Sequence, residues 1–123
     1  MKKIITLLVG TVFSVGAFAQ WDTLHMGTDY NFNAVAFTDA NDGIVVGENP
    51  TTAFGEMRMT FDGGLTWSSP VMSLSLANAP RFNGICFTVN TDGWVVGDSG
   101  NIIQSTDMGI SWFLRAKPTS KNL

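Results

Sequence analysis

The sequence predicts an all-β chain built from four-stranded antiparallel β-propeller blades, about two of them, in an incomplete ring. Three observations predict it. A block of the sequence recurs at a spacing near 45–50 residues. Each copy divides into short apolar segments separated by Asn, Asp and Gly turns. No stretch carries a helical period with caps.

The recurrence is direct. "FNAVAFT" at 32–38 returns as "FNGICFT" at 82–88, and "DGIVVG" at 42–47 returns as "DGWVVG" at 92–97. "TFDGGLTW" at 60–67 returns as "STDMGISW" at 105–112, now at an offset of 45. The first copy thus carries five extra residues within "ENPTTAFGEMRM". Trp21, Trp67 and Trp112 are spaced by 46 and 45 residues, so the second copy regains length in its own connecting loop. A constant period with variable loops is expected where each repeat is one structural unit and length changes fall at the rim.

The strands follow in order. "NAVAFT" and "NGICFT" are apolar strands, and "TDANDG" and "VNTDG" are turns that tolerate left-handed backbone. "IVVG" and "WVVG" are brief valine-rich strands suited to a buried position. "GEMRMT" and "NIIQST" make the third strands, and Thr66-Trp67 and Ser111-Trp112 open the fourth. Blade 1 therefore spans about 32–70 and blade 2 about 82–115, with 21–25 as an extra outer strand.

The N-terminus reads as a secretory signal over residues 1–19. Lys2 and Lys3 form the charged start, residues 4–18 are apolar, and "AFA" at 17–19 offers a small-x-small cleavage site. The apolar run is shorter than the roughly 20 residues of a membrane span. Cleavage leaves residues 20–123, and no second apolar run follows, so no membrane span is expected after it. The expected location is exported: periplasmic, cell-surface or extracellular, in a bacterium.

Composition narrows the chemistry. The mature part has five basic and ten acidic side chains, with Arg58, Arg81 and Arg115 far apart, a poor set for nucleic acid. Cys86 is the single cysteine, so no internal disulfide forms, and its strand context suggests a small buried hydrophobe. His25 is the single histidine, which leaves no transition-metal cluster and only one partner that a catalytic thiol could use. "DANDGIVVGE" lacks the ligand spacing of a calcium loop. No metal, cofactor or catalytic residue is expected.

The repeated eight residues fit [S/T]-x-D-x-G-x-[S/T]-W, and this element resembles the Asp-box, or bacterial neuraminidase repeat. With the flanking "DGxVVG" runs it is most similar to exported propellers of the photosystem II assembly and stability factor type, over residues 21–114. The residues that carry the resemblance are Thr60, Asp62, Gly64, Thr66 and Trp67, and again Ser105, Asp107, Gly109, Ser111 and Trp112. Their expected role is structural. A carboxylate accepts from turn N–H groups, a glycine takes left-handed backbone, and an indole packs over the turn.

The double repeat, with no residue constellation for chemistry, points to a non-catalytic exported propeller fragment that serves as a scaffold for protein binding or assembly. The alternative is a fragment of a carbohydrate-active propeller, sialidase-like or a glycoside hydrolase, whose catalytic blades lie outside this chain. Expected partners are a protein or a cell-surface glycan, with self-association through open blade edges. A photosynthetic role does not follow from likeness alone. Two blades do not close a ring, and truncation is the favoured explanation over a ring of several copies or a marginal two-blade pair. The functional surface is expected where the copies differ, in "ENPTTAFGEMRM" and "SSPVMSLSLANAPR".

Overall fold

Alternating side chains and frequent turns leave this chain little choice but strands, and strands are what it forms. The computed structural model describes residues 26, 28–73, 76–88, 91–116 and 121–122. The expected signal peptide and the outer strand at 21–25 lie outside them.

The strands are β1 (Asn31–Phe37), β2 (Gly43–Glu48), β3 (Gly55–Thr60), β4 (Val71–Met72), β5 (Phe82–Phe87), β6 (Gly93–Gly97), β7 (Ile102–Ser105) and β8 (Ser111–Ala116). They make two sheets, one ordered β1-β2-β3 and one ordered β4-β8-β7-β6-β5. Neighbours are antiparallel except β4, which runs parallel to β8.

Both copies enter their sheet through the same irregularity. The register shifts between Phe32 and Ala34, and again between Phe82 and Gly84. Opposite each bulge stands a glycine, and the close approach requires it. A Cβ on Gly47 would lie 1.9 Å from the Asn31 carbonyl oxygen, and one on Gly97 would lie 2.5 Å from that of Arg81.

The copies differ at their fourth strand. Blade 2 has the expected four antiparallel strands, whereas blade 1 has three and a single bridge, Met59↔Ser68. Pro70 follows two residues later and lacks the N–H needed to extend pairing. The connecting chain instead runs on to blade 2. There β4 lies beside β8, with the N–H of Val71 donating to the Ile110 carbonyl at 2.9 Å.

The core lies between the sheets. Alternation places Ile44, Val46, Met57 and Met59 of blade 1 on one face, with Ala34 beside them. They meet Phe82, Val95, Ile103 and Trp112 of blade 2, with Ile85, Phe87 and Leu114 at the margin. Leu76 and Ala79, from the connection, are buried in the same cluster. Burying Leu76 alone contributes about 1.5–3 kcal/mol. Hydrogen bonds tie the blades as well: Asn33 Nδ2 donates to the Phe82 carbonyl at 2.8 Å, and Gly55 N–H to that of Ala79 at 2.7 Å.

Cys86 is exposed, contrary to the buried hydrophobe expected. It pairs with Trp94 on the face of blade 2 that points away from the core, while its neighbour Ile85 packs inward. An apolar run in sequence does not say which of its two faces is covered.

Candidate functional site

The two boxes sit at the turns that follow β3 and β7, and their networks match almost atom for atom. In the first, the Thr60 hydroxyl donates to Asp62 Oδ1 at 2.7 Å and accepts from the Gly64 N–H at 2.8 Å. The N–H of Thr66 donates to Asp62 Oδ1 at 2.8 Å, and its hydroxyl to Oδ2 at 2.5 Å. The Trp67 indole N–H closes the loop onto the Gly64 carbonyl at 2.9 Å. In the second, Ser105, Asp107, Gly109, Ser111 and Trp112 repeat these bonds at 2.7, 2.8, 2.9, 2.5 and 2.8 Å.

Electrostatics follow from that geometry. The Thr66 hydroxyl and N–H, then the Thr60 hydroxyl, hold the Asp62 carboxyl down to about 2. Burial pushes the Asp107 carboxyl up, but donors from Ser111 and Ser105 outweigh it and leave the group below its ordinary value. Both are acceptors fixed in the ionised state. A carboxylate that accepts this many short bonds is a poor proton shuttle.

Left-handed backbone makes the turns. Gly64 and Gly109 have φ of 95° and 89°, as the motif requires. The preceding position is Gly63 in blade 1, at φ 71°, and Met108 in blade 2, at φ 59°. Each donates its N–H to the turn between the first two strands of its blade, Gly63 to Asn41 and Met108 to Thr91. Thr91 itself has φ 71°, uncommon for a β-branched residue.

Sequence reasoning passed over three of the residues that shape these rims. Asp39 accepts from the N–H groups of Asn41 and Asp42 at 2.7 and 2.8 Å, and those donors lower its pKa, Asp42 first. Its signal was available, since Asp two residues before Asn in "DAND" is an Asx-turn pattern. Asp98 receives Asn83 Nδ2 at 2.8 Å and Arg81 at 3.3 Å. Arg58 contacts Glu56 at 3.3 Å and Ser69 at 2.6 Å, and lies 4.9 Å from the centre of the Tyr30 ring. Arg58 and Glu56 are neighbours on one strand face, but nothing local in the sequence signals the other pairs.

The turns frame two clefts. One, about 320 Å³, lies between the blades and is lined by Phe37, Thr38, Phe87, Thr88, Thr91 and Met108. None of these described lining side chains is titratable. The other, about 280 Å³, is lined by Thr28, Asp29, Tyr30, Asn49, Pro50 and Thr51. Its Asn49, Pro50 and Thr51 belong to the divergent stretch of blade 1, but Glu48 of that stretch ends β2 and its residues from Gly55 on belong to β3. Likewise Leu76 and Ala79 of the second divergent stretch serve the core. Among the described residues, no three His, Cys, Asp or Glu side chains gather in a metal-binding group.

Comparison with known proteins agrees with this architecture. The family model described as Photosynthesis system II assembly factor YCF48 matches residues 14–118. The chain is similar to the photosystem II assembly lipoprotein Ycf48 of Synechococcus sp. strain CC9902, at 31% identity over 85% of this chain and 29% of that protein. It is similar to the Ycf48 lipoprotein of Parasynechococcus marenigrum strain WH8102, at 36% identity over 68% of this chain and 23% of that one. Among solved structures it resembles YCF48 bound to D1 peptide, with TM-score 0.62 and 30% identity, covering 76% of this chain and 29% of the other. It also resembles YCF48 from Cyanidioschyzon merolae, with TM-score 0.62 and 25% identity, covering 81% and 28%. The chain thus spans under a third of the length of these relatives. On the family match over residues 14–118, with two boxes and two blades in register, the chain belongs to the Photosynthesis system II assembly factor YCF48 family.

Proposed function

We propose that this chain is a non-catalytic, exported propeller fragment that serves as a protein-binding or assembly scaffold. One observation carries the reading: the conspicuous carboxylates, Asp62 and Asp107, have both oxygens committed to their own turns. Their role is to hold hairpins, and the ten box residues are scaffold. The cleft between the blades offers aromatic, methionine and hydroxyl groups, which suit a peptide side chain better than an acid–base reaction. A solved relative is YCF48 bound to D1 peptide, so that family member binds a peptide.

Export rests on the charged start, the apolar run and the "AFA" site. The curated relatives are named lipoproteins, whereas Gln20 rather than a cysteine follows the site here. The exported form is expected to begin at Gln20, as intact mass or N-terminal sequencing would read.

The binding test is a titration of the purified exported chain with a D1 peptide and with exported proteins from its own source. Saturable protein binding that leaves glycans unbound supports the scaffold reading. Hydrolysis of a sialoside or other glycoside by the purified chain would overturn it.

A further inference from the structure

Among the described residues each sheet covers one face against the other and leaves much of its second face exposed, though Val45 and Gln104 are buried there. The repeat makes those two open faces equivalents of the two that meet inside the chain. On blade 1, Val35, Phe37 and Trp67 occupy the positions of Ile85, Phe87 and Trp112. Trp112 is fully buried, with Ile85 and Phe87 packed beside it, because blade 1 lies over them. Their counterparts have no such cover. Val35 is 57% exposed, Phe37 is 47% exposed, and Trp67 is half-buried.

The far face of blade 2 mirrors the case. Cys86, Trp94, Val96 and Ile102 occupy the positions of Ala36, Ile44, Val46 and Met57. Ile44, Val46 and Met57 are buried in the interface between the blades. Trp94, Val96 and Ile102 keep solvent contact, Cys86 is exposed, and Phe113 beside them is 52% exposed. The chain therefore presents both halves of an interface that it already makes once.

We infer that copies of this chain associate head to tail, the Val35–Phe37 face of one copy seated on the Trp94–Phe113 face of the next. The polar replacements on the two faces fit a second copy. Ile103 and Met59 share the internal core, but their repeat equivalents are Arg58 on one open face and Gln104 on the other. Both are already hydrogen-bonded, Arg58 to Ser69 at 2.6 Å and Gln104 to Arg115 at 2.6 Å. Covering groups that keep their partners costs far less than covering bare ones. A wholly apolar partner would set hydrocarbon against a polar group on either face, whereas a second copy matches polar with polar. The contact is heterologous, so it repeats until the rotation closes, and a ring of 4–8 blades takes about two to four copies.

The test is light-scattering mass of the purified exported chain over a range of concentration, alone and with two variants. Val35→Asp spoils only the blade 1 face and Phe113→Asp only the blade 2 face; both sites are exposed, so each variant keeps its own fold. Each variant alone is expected to be monomeric, and an equal mixture to stop at a one-to-one pair through the remaining good faces. Alkylation of Cys86 should slow at least several-fold in the assembled wild type and recover in Val35→Asp. A wild-type monomer at every concentration overturns the proposal. So does oxidation to a Cys86–Cys86 dimer, since head-to-tail packing sets Cys86 against the Val35 face of its neighbour.

Discussion

Gly109 of the second box presses against Ile44 of the first blade: a Cβ on Gly109 would stand 2.1 Å from Ile44 Cδ1. The motif glycine thus serves two purposes, a backbone at φ 89° and a gap that lets the neighbouring blade close. Gly109→Ala should destabilise by about 2–4 kcal/mol, since the left-handed backbone and the overpacked interface each contribute about 1–2. Ile44→Val with Gly109→Ala should recover part of the loss. Urea unfolding of the single and double variants measures the coupling, and strict additivity would show that the two residues do not meet.

Met108 offers the opposite opportunity. It holds φ 59° with 51% of its surface exposed, where the first blade uses Gly63. Met108→Gly removes about 1–2 kcal/mol of backbone strain and adds unfolded-state entropy, leaving a net gain of about 0.5–1 kcal/mol. The thermal midpoint should rise. Gly63→Met should lower it.

The box carboxylates are expected to matter for folding, with the second more sensitive. Asp107→Ala removes acceptors for the Ser105 and Ser111 hydroxyls and the Ser111 N–H, and Ser105 is fully buried. The loss should be about 2–4 kcal/mol, the range for stranding several donors to a charged group. Asp62→Ala should cost less, because Thr60 is as buried as Ser105 but Thr66 is exposed and Trp67 only half-buried, so water can reach the stranded donors. Equal losses in chemical denaturation would refute the idea that the stacked blade raises the stakes.

How much of this was legible in sequence depended on distance along the chain. The turns and the box bonds span eight residues or fewer, with residue types that are nearly obligatory, and the blade repeat showed itself as the same letters returning 45–50 residues on. Gly47 and Gly97 were visible as repeated letters, but their reason was not. They face bulges at Phe32 and Phe82, and pairing across strands is needed to see that. The same holds for the face of Cys86 and for Leu76, which the repeat comparison assigned to a variable loop and the fold spends on its core. Val71–Met72 formed a strand only because β8 offered an edge, a long-range event that "SSPVMS" does not announce.

Acid should loosen the first box over a defined window. Asp62 has its pKa lowered from 3.8 to about 2 by Thr66 and Thr60, and an unfolded aspartate titrates near 3.9. A carboxyl whose folded pKa is depressed adds stability that is complete above the unfolded value and disappears as pH falls through the folded one. The contribution should therefore hold above about pH 4–5 and be lost by about pH 2. Asp39 and Asp107 are lowered too, so they add slope of the same sign. Asp62→Asn cannot titrate, and its stability deficit against the wild type should shrink as pH drops from about 4 to 2. The Trp67 indole donates to Gly64 within that box, so its fluorescence reports the local opening. A deficit that stays constant from pH 5 to pH 2 would mean that the ionised form of Asp62 does not hold the turn.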